Sequence, residues 1–174
     1  MSIRILFLSL LLALSGNLYA KGDYMSAQEF ISSSFSGSPP PASLLWLPAE
    51  AKKQASQIVN RDYRAPRVRY WAEQQRSAWI FEEIGKELPI TIGVVVENNA
   101  VSAVKILAFR ESRGDEVRYP FFTKQFIGAT LDPKLGLDRN IDGITGATLS
   151  VYAVQRAVRL ALYFHREALE TTSQ

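Results

Sequence analysis

Nine consecutive residues, Asp142-Gly143-Ile144-Thr145-Gly146-Ala147-Thr148-Leu149-Ser150, carry the side chains with the clearest capacity for chemistry. They lead directly into an amphipathic segment with helical spacing. Glycines at 143 and 146 open backbone conformations closed to other residues and let a ligand approach the main chain. The unpaired amides of a helix start attract an anion such as a phosphate. Thr145, Thr148 and Ser150 place three hydroxyls around the same point. A Gly-Ala-Thr before a helix also has a plainer use, in which the threonine oxygen satisfies a free amide as a cap. On spacing alone the cap is the favoured reading.

Other constellations lead nowhere comparable. His165 is the sole histidine and falls late in the terminal helix, which suits a surface or helix-end residue more than a catalytic base. Without a cysteine or a second histidine, a zinc, haem or iron–sulfur site has no ligand set, and no metal site is expected. Asp132, Asp138, Asn140 and Asp142 crowd one loop but lack the alternation of a calcium-binding loop, so they read as solvated turn residues. No Gly-x-Ser-x-Gly or His-Glu-x-x-His pattern is present, which removes the common hydrolase signatures.

The elements that must position the motif follow from periodicity and capping. Ser26-Ala27-Gln28-Glu29 is a capping box, predicting a helix from Ala27 to about Phe35 that ends at Ser36-Gly37 and a run of three prolines. Leu44-Leu45-Trp46-Leu47 is expected to anchor that extended stretch onto the core, and Ala49 to Val59 reads as a second helix stopping near Asn60. Between Arg61 and Trp71, arginines alternate with aromatic residues, as on a strand whose cations reach solvent while its rings pack inward. Ala78 to Phe81, Ile90 to Glu97 and Val101 to Phe109 have the branched and aromatic composition of strands, with a hairpin turn at Asn98-Asn99. Phe121, Phe122, Phe126 and Ile127 suggest a short helix or turn on the sheet, followed by a long loop from Gly128 to Asn140. A last helix is predicted from Leu149 to about Glu167, with Val151, Val154, Val158, Ala161 and Leu162 on one buried face. The class expected is α+β, an antiparallel sheet packed with a C-terminal amphipathic helix.

The first twenty residues have a charged, an apolar and a small-residue region in turn, the layout of a secretory signal cleaved after Ala20; an uncleaved anchor is the alternative. Residues 21–76 would form an arm of helices and extended chain, and 77–170 the domain proper. The formal charge of +3 falls to +2 once Arg4 leaves with the signal, and the charges are interspersed along the chain. Nucleic acid is therefore not an expected partner.

The stretch Asp142 to Ser150 resembles the flavinylation motif of the FMN-binding domain family, seen in the C subunit of the sodium-pumping NADH:quinone reductase and the G subunit of the Rnf complex. The resemblance runs from about Ile90 to Leu162. Within it, Glu111-Ser112-Arg113-Gly114 stands where members of the family carry a Glu-Thr or Glu-Ser turn, and Phe126-Ile127-Gly128 precedes the motif at a similar remove. Tyr70-Trp71 through Lys86-Glu87 is also similar to small exported members.

The resemblance implies that FMN is esterified through its phosphate to Thr148. It further implies that Asp142 and the Thr145-Gly146-Ala147 turn are read by a Mg-dependent flavin transferase using FAD as donor. Gly143, Leu149 and Ser150 complete the motif, and Glu111, Ser112, Phe121 and Phe122 are candidates for lining the flavin ring. The respiratory subunits have a membrane-spanning helix where this chain has its leader, so their cellular role does not transfer. The expectation is an exported, periplasmic electron carrier, working as a soluble shuttle or docking on a separate membrane-bound redox partner. The competing expectation is a cofactor-free binding or assembly module in which Thr148 only caps a helix.

Overall fold

A computed structural model describes residues 22–172, with side chains through residue 170, so the expected leader at 1–20 lies outside the described residues. Helix α1 (Ala27–Ser34) begins on the expected capping box: the Glu29 amide donates to Ser26 Oγ at 3.1 Å and the Ser26 amide to Glu29 Oε2 at 2.8 Å. Such a cap stabilises a helix by about 1 kcal/mol. Strand β1 (Ser43–Trp46) follows the prolines, and α2 (Ala49–Val59) ends where Asn60 turns left-handed at φ 54°.

Four more strands follow: β2 (Arg67–Glu73), β3 (Arg76–Ile84), β4 (Pro89–Glu97) and β5 (Ala100–Phe109). They form one antiparallel sheet in the order β1-β2-β3-β4-β5. Asn98 and Asn99 both take positive φ in the turn between β4 and β5, as their tolerance of that region predicts. The segment 21–76, expected as an arm ahead of the domain, thus supplies two of the five strands. Leu44-Leu45-Trp46-Leu47 anchors the chain to the core through the buried Leu45 and Leu47, and it is also the edge of the sheet, with Leu44 and Trp46 facing solvent.

After β5, α3 (Pro120–Thr123) lies between single 3-10 turns at Asp115–Arg118 and Lys124–Phe126, and α4 (Thr148–Thr172) closes the chain. Helix α4 packs across β3 and β4 on one face of the sheet and against α2 beside it. The expected face of Val151, Val154, Val158, Ala161 and Leu162 is buried, and so are Ala153, Ala157, Leu160 and Phe164. The buried arc is wider than one stripe because neighbours cover the helix flanks as well as its base. On the opposite face α1 covers β3 to β5 through Phe30, Ile31 and Phe35, against Ala78, Val95 and Leu107. Burying each large apolar side chain contributes on the order of 2 kcal/mol.

Two polar clusters sit inside this packing. The Glu83 carboxylate, 2% exposed, receives both Arg61 guanidinium nitrogens at 2.9 Å and Arg156 Nε at 2.9 Å, while Arg156 also donates to the Ile84 carbonyl. Arg61 therefore holds an ion pair while staying partly open to solvent, Arg67 and Arg69 lie exposed on the strand, and Tyr70 packs inward on Trp79 at 4.9 Å.

The second cluster corrects the reading of His165, which is 1% exposed and not a surface residue. Trp79 Nε1 donates to Ser77 Oγ at 2.7 Å, and Ser77 Oγ lies 2.7 Å from His165 Nδ1. The Ser77 hydroxyl thus bridges the indole and the imidazole, while His165 Nε2 is buried with no hydrogen-bond partner among the described residues. Burial pushes the His165 pKa down to about 4.

Two measurements check these clusters. Glu83→Ala leaves Arg156 partly buried without its counter-ion, so denaturant unfolding is expected to show a loss of about 3 kcal/mol, with no comparable loss for Lys53→Ala on the surface of α2. The unfolded chain protonates His165 near its ordinary 6.5 but the folded chain only near 4. Stability should therefore fall as pH drops from 6.5 towards 4, and His165→Asn should flatten that part of the melting-temperature profile even if it lowers stability at pH 7.

Candidate functional site

The start of α4 does not form the threonine cap that spacing favours. The Val151 amide donates to the Ala147 carbonyl at 3.0 Å, so Ala147 occupies the capping position and Thr148 is the first residue of the helix. Ala147 has no side-chain acceptor, and the Thr148 hydroxyl, on an exposed residue, has no hydrogen-bond partner among the described residues. The amides of Thr148, Leu149 and Ser150 precede the first intrahelical bond and point out of the helix end, where the dipole favours negative charge.

Three hydroxyls meet near this end in different settings. Ser150 is 4% exposed and packs against the turn after β5, where a Cβ on Gly114 would stand 2.5 Å from its oxygen. Gly114 has φ 92°, so both space and backbone conformation require glycine there. Thr145 is exposed but does not line the cleft described next, and Thr148 is exposed and does. The left-handed turn at Gly146, φ 81°, brings the chain into the helix, while the Ala147 amide closes back on the Ile144 carbonyl at 2.9 Å.

A cleft of about 540 Å³ opens at this point, lined by Gly146 to Ser150 from one side and by Lys86, Glu111, Ser112 and Arg113 from the other. Its size suits a cofactor-sized ligand. The structure therefore brings Glu111 and Ser112 together with Gly146, Ala147, Thr148, Leu149 and Ser150. Asp142, Gly143 and Thr145 stay outside the lining. Asp142 is exposed, with its amide donating to Gln125 Oε1 at 2.7 Å. Gly143 has open space where a Cβ would stand and no left-handed φ, so the fold itself does not demand glycine there. Phe122 is fully buried edge-on against Phe126, and Phe121 projects into solvent beside Tyr119. Neither lines the cleft: one is core and the other surface.

The far wall is held by one carboxylate oxygen. Glu111 Oε1 accepts the amides of Lys86, Glu87 and Leu88 at 2.5, 2.6 and 2.9 Å, tying the β3–β4 loop to the turn after β5. Burial alone would raise the Glu111 carboxyl, but the three backbone hydrogen bonds and the Lys86 charge outweigh it and hold the group below its ordinary value. Lys86 and Arg113 are the lining residues to which sequence reasoning attached no role. Lys86 sits in a hairpin loop of unremarkable composition, and Arg113 was visible only as one member of the Glu-Ser-Arg-Gly turn.

The Glu111 clamp makes a pH-dependent claim. A carboxyl held below 4.5 contributes stability that is present above 4.5 and lost as pH falls through the lower folded value. Hydrogen-exchange protection of the Lys86, Glu87 and Leu88 amides is expected to persist through pH 4.5 and fail below it. Glu111→Leu should lose that protection at every pH, and Glu111→Gln, which keeps an acceptor oxygen, should retain part of it.

No curated protein matches this chain. The family model of the FMN-binding domain matches residues 85–163, a span that takes in β4, β5, the Glu111 turn, the cleft and α4 as far as Tyr163. That span contains every residue of the helix-start motif and nearly coincides with the stretch from Ile90 to Leu162 whose residues resemble the family. With an anion-favouring helix start, a free threonine hydroxyl and a cofactor-sized cleft inside the matched span, residues 85–163 of this chain form an FMN-binding domain.

Proposed function

We propose that the chain carries FMN as a phosphoester on Thr148 and serves in electron transfer outside the cytoplasm. The observation that carries this reading is the exposed Thr148 hydroxyl, without a hydrogen-bond partner among the described residues, at the first position of α4 and on the wall of the cleft. Ser150 is buried against Gly114 and Thr145 lies off the cleft, which leaves Thr148 as the hydroxyl best placed to be esterified.

In the attachment step the Thr148 oxygen attacks the flavin-side phosphorus of FAD. The pyrophosphate bond breaks, AMP leaves, the new phosphoester forms, and the threonine proton passes to a base of the Mg-dependent transferase. The phosphodiester keeps one negative charge. The amides of Thr148, Leu149 and Ser150 and the helix dipole stabilise that charge at its site.

Bound FMN supplies reversible transfer of reducing equivalents at its ring. The protein's own contribution is to orient and shield. The β3–β4 loop and the turn after β5, held together through Glu111, form a fixed wall facing the helix start. Lys86 and Arg113 add positive charge to that wall and oppose the charge brought by the phosphodiester. Covalent attachment would also retain the cofactor in an extracytoplasmic compartment, where dissociated flavin is lost by diffusion. Export is the expectation set by the leader, and the redox partner is expected to be a separate, membrane-bound protein.

Coexpression with a flavin transferase, followed by denaturing electrophoresis, tests the reading directly. Flavin fluorescence should travel with the wild-type and Ser150→Ala bands and vanish with Thr148→Ala, while Thr145→Ala, in the turn that the transferase reads, should weaken labelling without abolishing it. A dark wild-type band from folded protein and active transferase would overturn covalent attachment and favour the cofactor-free binding module.

A further inference from the structure

The strands that precede the matched domain expose a surface that the flavin reading does not use. On the face of the sheet opposite α4, helix α1 covers β3 to β5, and the part over β1 and β2 carries Leu44, Trp46, Arg67, Arg69 and Trp71. Leu44 is 44% and Trp46 63% exposed. A groove of about 470 Å³ runs between this face and the start of α1, lined by Ala27, Leu44, Arg67, Arg69, Trp71 and Ile80. The register sets Leu44 opposite Arg69 and Trp46 opposite Arg67, and the Arg67 guanidinium lies over the Trp46 ring, 5.2 Å from its centroid. Neither arginine has an ion pair with an acidic residue among the described residues.

The edge itself is free. The Leu47 amide donates to the Pro66 carbonyl, which fixes the phase of the ladder: Ser43, Leu45 and Leu47 turn their backbone groups towards β2, and Leu44 and Trp46 turn theirs outward. No backbone partner meets Leu44 or Trp46 on that side among the described residues. Pro41 and Pro48 bracket the strand, so the edge offers a short template instead of an open-ended one.

From this arrangement we infer that the β1 edge takes up a short, extended, acidic segment of a partner protein, which adds to the sheet as a further strand. Its backbone pairs with Leu44 and Trp46. Its alternate side chains come to the outer face, where carboxylates meet Arg67 and Arg69 beside Leu44 and Trp46, and the intervening apolar groups turn to the inner face, the face of Leu45 and Leu47. A second copy of this chain is a poor occupant, because its β1 would bring only Leu44 and Trp46 to the outer face and no carboxylate to answer Arg67 and Arg69. A bilayer offers no backbone groups to the free edge. The surface lies outside residues 85–163, so its use stands apart from flavin attachment.

The test uses the full chain and a short synthetic peptide of alternating glutamate and valine, with a lysine–valine peptide as control. The readout is hydrogen exchange resolved by residue. The glutamate peptide should protect the Leu44 and Trp46 amides, and the lysine peptide should not. Arg67→Glu with Arg69→Glu should weaken binding by at least about tenfold. Leu44→Pro removes an outward donor without touching the β1–β2 ladder, and should weaken binding in a chain whose β2–β5 amides stay protected. Binding of both peptides alike, or binding unchanged in the arginine variants, would overturn the inference. So would the absence of protection at millimolar peptide, whether or not the chain sediments with anionic phosphatidylglycerol vesicles.

Discussion

The carboxylate of Glu83, at the end of β3, fixes where the long helix lies against the sheet. It binds Arg61 from the segment after α2 and Arg156 from the third turn of α4, and Arg156 reaches on to the Ile84 carbonyl. Apolar packing alone is permissive about sliding, since one small aliphatic residue of α4 meets the sheet much as the next does. A buried two-armed ion pair is not, because displacement by a single turn would strand a charge inside the protein. The position of Thr148, two turns before Arg156, follows from that register. So does the width of the cleft between the helix start and the β3–β4 loop.

The cleft is consequently built from main chain held by a few side chains. One wall is a helix end whose amides are unpaired by the geometry of any helix. The other is a loop whose three successive amides converge on Glu111 Oε1. Gly114 lets the turn after β5 press against Ser150, which is 4% exposed. Of the hydroxyls at the helix start, Thr148 alone is both exposed and on the cleft wall.

Much of this was legible in the sequence where one residue type has one physical use. The capping box at Ser26, the paired asparagines at 98 and 99, and the apolar spacing of α4 each name their element without help from the rest of the chain. Legibility failed where the outcome depends on distant partners. Whether Thr148 caps the helix or begins it turns on the carbonyl of Ala147, and nothing in a Gly-Ala-Thr tripeptide decides that. His165 resembles any helix-end histidine until Ser77 and Trp79, 88 and 86 positions earlier in the chain, are brought against it. Glu111 was singled out as a lining residue, but its role as acceptor for a loop more than 20 residues away needed the fold. The strand character of β2 shows in the alternation between Arg61 and Trp71, whereas the four residues of β1, following three prolines, carry too little periodicity to declare a strand.

The order of the strands gives the molecule a timetable. Because β1 to β5 follow one another in space as they do along the chain, every pairing in the sheet closes over a short or moderate separation, the kind of contact a chain makes early. Helix α4 is different, for its partners Ser77, Trp79 and Glu83 lie some 70 to 90 residues upstream, and its docking is the slow, long-range event. Thr148 stands at the start of that helix, and the cleft wall it belongs to meets the Glu111 wall only once the docking is done. The cleft is therefore complete only in a chain whose last helix has found its place, so its two facing walls report on the finished fold.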